Sequence, residues 1–127
     1  MLLHSIGSWR LFPALIAAVL SSVLLAAAPS AATFDGFWAV DVIVQKGSCQ
    51  DGFSFPIRVS DGTIVYNGQV QIVVTGKIAP NGQVDAVFNR NNQALRASGR
   101  VNQDSGAGTW SAPSRDCGGR WEARKQG

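Results

Sequence analysis

The chain has one histidine, His4, and none after it. Everything beyond residue 4 therefore lacks an imidazole, the side chain most used for a triad, a proton relay or a zinc site. Cysteine is almost as scarce: Cys49 and Cys117 are the only two, and if they pair, no thiol is left as a nucleophile. Beyond residue 33 no window shows the 3.6-residue apolar period of a helix, and no glycine-rich loop precedes one, which removes the usual phosphate cradle. Enzymatic chemistry would have to rest on carboxylates. Asp41 and Asp85, on different expected strands, are the candidates if both point inward; the plainer reading puts both in solvent, and no acid/base motif accompanies them. The sequence is read as non-enzymatic, with no catalytic residue, no metal and no cofactor.

What is present begins with an export signature. Residues 1–32 carry one positive side chain, Arg10, then an apolar run over residues 11–28 and a tail of small residues, the three parts of a helical signal peptide. Cleavage is expected after Ala32, with Ser30 and Ala32 in the two small positions that a signal peptidase reads; a cut after Ala28 would place Pro29 just beyond the bond. The alternative is an uncleaved anchor, because the apolar run is close to the lower length limit for crossing a bilayer. No cysteine lies near the segment to carry a lipid. Cleavage leaves residues 33–127 as one domain, periplasmic or secreted, whose signal meets the membrane only in transit. In that setting Cys49 and Cys117 should form a disulfide. The chain-entropy model values such a loop at about 4 kcal/mol, comparable with the whole stability of a small domain.

Turn signals separate alternating apolar runs roughly every eight to twelve residues, the spacing of an all-β chain. Strands are expected at 37–44, 53–60, 63–66, 70–75, 84–88, 93–101, 108–111 and 120–124. Asp61-Gly62, Asn67-Gly68 and Asn81-Gly82 read as tight reversals because these residues tolerate positive φ, and Arg90-Asn91-Asn92 leads into the sixth strand. Residues 46–52, 102–106 and 112–119 read as loops. Pro56 cannot donate to a ladder, so the second strand is expected at an edge or bulged. Eight strands joined by short reversals predict a small up-and-down antiparallel barrel, or a strongly curled sheet. The cysteines fall where the end of the first strand would face the start of the last, which suits closure. A barrel of this size is expected to be filled by its own side chains. Trp38, Trp110 and Trp121 are expected at its ends, as core or as a ligand wall.

Gly36-Phe37-Trp38 on the first strand, with a basic residue on the last, resembles the lipocalin and wider calycin pattern. That resemblance implies a tryptophan closing one barrel end and an arginine, Arg124 or Arg120, packed across it. The order Phe34-Asp35-Gly36-Phe37-Trp38, Gly47-Ser48-Cys49, Tyr66-Asn67-Gly68, Gly99-Arg100, Gly106-Ala107-Gly108-Thr109-Trp110 and Cys117-Gly118-Gly119-Arg120-Trp121-Glu122-Ala123-Arg124 is similar to a group of small exported bacterial proteins of unknown function. A third likeness, in size, export, a disulfide and the early Gly-x-Trp, is to periplasmic barrel inhibitors of proteases and lysozymes.

Charge is unevenly placed. Seven basic residues fall from Arg90 onward against Asp104, Asp116 and Glu122, whereas the stretch 33–89 has three against five acidic ones. Arg96, Arg100, Arg115, Arg120 and Arg124 are therefore candidates for one binding face, their planar forks suited to phosphate or carboxylate. An ordinary solvated surface is the plainer reading. Tyr66, beside Asn67-Gly68, is either an exposed contact or a packing residue. The expected function is an exported binding protein acting through the basic strands or a barrel mouth, with an anionic envelope polymer among its partners and no nucleic acid. The alternatives are an inhibitor of a protease or lysozyme, presenting residues 46–52 or 102–106, and a structural surface component.

Overall fold

The computed structural model describes residues 30–50 and 52–127, so the expected signal segment, apart from residues 30–32, lies outside the described residues. Eight strands follow one another: β1 (Gly36–Lys46), β2 (Phe53–Ser60), β3 (Thr63–Tyr66), β4 (Val73–Ile78), β5 (Gln83–Arg90), β6 (Gln93–Val101), β7 (Ser105–Ala112) and β8 (Cys117–Lys125). Each pairs antiparallel with its sequence neighbours, and β1 pairs with β8, closing the barrel. Short 3-10 turns at Ala31–Phe34 and Pro113–Arg115 stand at opposite ends.

Alternation determines what fills the barrel. The inward row of β1 is Trp38, Val40, Val42 and Val44, that of β2 Phe53, Phe55, Ile57 and Val59, and that of β8 Cys117, Gly119, Trp121 and Ala123. No polar or charged side chain is buried among the described residues. The packed interior leaves about 40 Å³ of free space, bounded only by apolar side chains, far below the few hundred Å³ of a ligand site.

The tryptophans divide by height. Trp38 closes the end where β1 begins and β8 finishes, its Nε1 donating to the Phe34 carbonyl at 2.9 Å. Trp110 stands near the other end and donates to the Ile43 carbonyl at 3.0 Å. Trp121 sits between them, paired with Val42 and Gly108, and donates to the Ser98 carbonyl at 3.0 Å. Its indole lies flat on the bare backbones of Gly99 and Gly108, where an added Cβ would come within 2.6 Å of the ring at each. This is why β7 starts at Ser105 rather than at the expected 108. The loop expected over 102–106 is shorter than its composition suggests: Gly106, like Gly108, belongs to a strand whose inward side chains have been omitted to admit the indole.

Two other expectations are corrected. Pro56 lies neither at an edge nor on a bulge: β2 pairs with β1 in unbroken register through Ala39↔Pro56. On its other side the β2–β3 pairing stops at Ile57↔Tyr66, and beyond that point Pro56 contributes only its carbonyl, which accepts from the Asn67 amide at 2.9 Å. The missing N–H thus falls where the ladder has already ended. Asn67-Gly68 is not a tight reversal either. Asp61 and Gly62 have φ of 49° and 75°, and Asn91 and Asn92 have 52° and 61°, as two-residue hairpins require, whereas neither Asn67 nor Gly68 has positive φ. Residues 67–72 form a longer loop, β4 starts at Val73, and the β3–β4 ladder is reduced to Thr63↔Lys77. The two strands part toward the end away from Trp38.

Cys49 and Cys117 are bonded, with Cα atoms 5.9 Å apart and a sequence separation of 68. The disulfide ties the loop after β1 to the first residue of β8, which begins at Cys117 rather than at the expected 120. It braces the same open end.

Candidate functional site

The barrel's two ends differ. At the end closed by Trp38, the 3-10 turn Ala31–Phe34 folds over the opening and places Phe34 in the core, 6% exposed. At the other end the inward rows run out into a cleft of about 460 Å³, within the range of small-molecule sites.

One side of this cleft is aromatic. Phe55 meets Phe53 edge to face with ring centroids 4.7 Å apart, stacks on Phe88 at 5.6 Å, and meets Tyr66 edge to face at 6.2 Å. Leu95 and Trp110 continue the floor, and Val70 and Ile72 of the 67–72 loop line it where β3 and β4 part. Tyr66 is thus half-buried in the cleft wall. The strand-like alternation of Val70 and Ile72 reflects this lining and not a ladder.

The other side is polar and basic, for a reason visible in the pairing. The inward row of β5 is Val84, Ala86, Phe88 and then Arg90; that of β6 starts at Gln93 and continues with Leu95 and Ala97. Arg90 and Gln93 face each other across the Asn91-Asn92 turn. Arg115, at the end of the 3-10 turn Pro113–Arg115, donates from Nη1 to Gln93 Oε1 at 3.2 Å. Among the described residues neither Arg90 nor Arg115 has a carboxylate partner, and none lines the cleft.

The five expected arginines do not share a face. Arg96 and Arg100 on β6, and Arg120 and Arg124 on β8, point outward along the wall, separated by Ser105, Ala107, Thr109 and Ser111 of β7. Arg120 lies 3.6 Å from Glu122, and Asp85 stands opposite Ser98, so the wall has no unbroken basic stripe. Arg115 alone reaches the mouth. Neither Arg120 nor Arg124 packs across Trp38, because alternation turns them outward while the indole points in; the cation–π contact among the described residues is Arg58 over Phe37, at 5.9 Å, on the outer wall. Asp41 and Asp85 are both exposed on the outside, Asp41 bonded to the Ser54 hydroxyl and Asp85 3.5 Å from Gln83 Nε2. They do not form an inward pair.

Sequence reasoning missed Arg90 as a site residue. The signal was available: extending the row Val84, Ala86, Phe88 by one step of two reaches it. No protein-family model matches the chain, and no curated protein matches it.

Proposed function

We propose that this is an exported, non-enzymatic binding protein that holds a small ligand in the mouth of a filled barrel. The observation that carries the reading is the asymmetry between the ends: one is sealed by Phe34 and Trp38, and the other opens into a cleft of about 460 Å³ with an aromatic floor and a few convergent polar groups. The signal-like segment and the disulfide support export to the periplasm or beyond.

The test is a native mass of the protein recovered from the exported fraction of its own cells. The expected result is residues 33–127, two hydrogens light, carrying an additional small-molecule mass. The bare oxidised domain would count against a resident ligand, and a mass including residues 1–32 would count against processing.

An inhibitor of a hydrolase is a second reading, favoured by the exposed loop that follows β1 and is fastened at Cys49. It predicts a one-to-one complex that abolishes the hydrolase's activity.

A further inference from the structure

We propose that the mouth takes a single-headed anionic amphiphile as a free monomer, its acidic head held by Arg90 and Arg115 and its apolar tail laid on the Phe53-Phe55-Tyr66 side. The proposal deepens the mouth-binding reading and rests on it. The cleft is sided: β2, β3 and the 67–72 loop contribute rings and aliphatic groups, whereas the β5–β6 turn and the Pro113–Arg115 turn contribute guanidinium and amide groups. A ligand polar throughout would leave its polar groups unmet on the aromatic side, and a wholly apolar one would desolvate the guanidinium groups for nothing.

Arginine suits the role because its fork meets a carboxylate or phosphate with two parallel hydrogen bonds. Gln93, accepting from Arg115 and paired in register with Arg90, links the two. A polyanion fits poorly, since the cationic part is confined to one rim. The tail has a way out: β3 and β4 are laddered only at Thr63↔Lys77, and where they part Val70 and Val73 are 46% and 69% exposed. An apolar tail longer than the cleft could leave between these strands over apolar side chains.

The experiment uses the oxidised domain and follows Trp110, which lines the cleft, by fluorescence during titration with decanoate, decyl phosphate and 1-decanol. The expected result is saturable one-to-one binding of at least one anionic probe, about tenfold or more tighter than the alcohol. Arg90→Gln/Arg115→Gln should bring the anions down to the alcohol's affinity. Both side chains are exposed, so the variant should fold, and an unchanged thermal midpoint would show that it has. Equal affinity for all three probes, lost in a cleft-filling Leu95→Trp variant, would overturn the anionic head while leaving mouth binding intact. Failure of every probe to bind would overturn the amphiphile. Co-sedimentation with phosphatidylglycerol vesicles that needs both arginines, without binding of either free anion, would show a membrane surface being read instead and overturn the monomer.

Discussion

Gly99 and Gly108 carry a packing constraint that their backbone angles do not reveal. The Trp121 ring lies where their side chains would be, and Gly108 stands directly opposite Gly99 on the neighbouring strand. Gly99→Ala or Gly108→Ala should therefore push the indole off its seat and weaken its bond to the Ser98 carbonyl. The new Cβ should also press on the facing backbone, at the Ala107 carbonyl oxygen from Gly99 and at the Ser98 carbonyl oxygen from Gly108. The expected cost is about 1–3 kcal/mol, the usual range for an overpacked core, read as a lower urea midpoint with little change in slope. Gly118 is a useful contrast. A Cβ there meets its nearest atom, the Trp110 carbonyl oxygen, at 3.1 Å, so Gly118→Ala should cost less than either. None of this was legible in the sequence. Gly106 reads as the end of a loop because the residue it makes room for, Trp121, lies on another strand.

Among the elements, those whose conformation is encoded locally were readable and those defined by a neighbour were not. Asp61-Gly62 announces its reversal through the residues that must adopt positive φ. Asn67-Gly68 makes the same announcement but opens a six-residue loop, because Tyr66 turns into the cleft and the chain must travel around the mouth before β4 can begin. The mouth was legible only as a possibility of the fold, and the arginine pair on it was obscured by reading basic residues as a list and not as alternating rows. The 3-10 turn Ala31–Phe34 gives a further test at this scale. The Phe34 side chain is buried in the core with its ring tip near Gly82, so Phe34→Ala should lower stability by about 3 kcal/mol. The loss should appear in thermal unfolding while decanoate affinity stays unchanged, since the turn and the cleft occupy opposite ends. The expected cleavage after Ala32 falls inside this turn, removing Ser30, Ala31 and Ala32 and leaving Phe34 as the second residue of the mature chain.

For the molecule as a whole, one covalent link holds the open end. Cys49→Ser/Cys117→Ser should destabilise the domain by about 4 kcal/mol on the chain-entropy model, measured by urea unfolding beside the oxidised protein. The disulfide joins the loop after β1 to the start of β8, and these strands also form the pairing that closes the barrel. That pairing joins the chain's first strand to its last, and contacts so distant in sequence make a sheet protein slow to fold. An oxidised unfolded chain starts with that closure already made. In stopped-flow dilution from urea it should refold faster than the double serine variant, by about tenfold or more if the β1–β8 seam forms before the rate-limiting step. Equal refolding rates, with the stability difference appearing in unfolding, would place that seam among the last contacts to form. The bond that braces the mouth would then govern how long the barrel stays closed, and the turns between successive strands would govern how quickly it assembles.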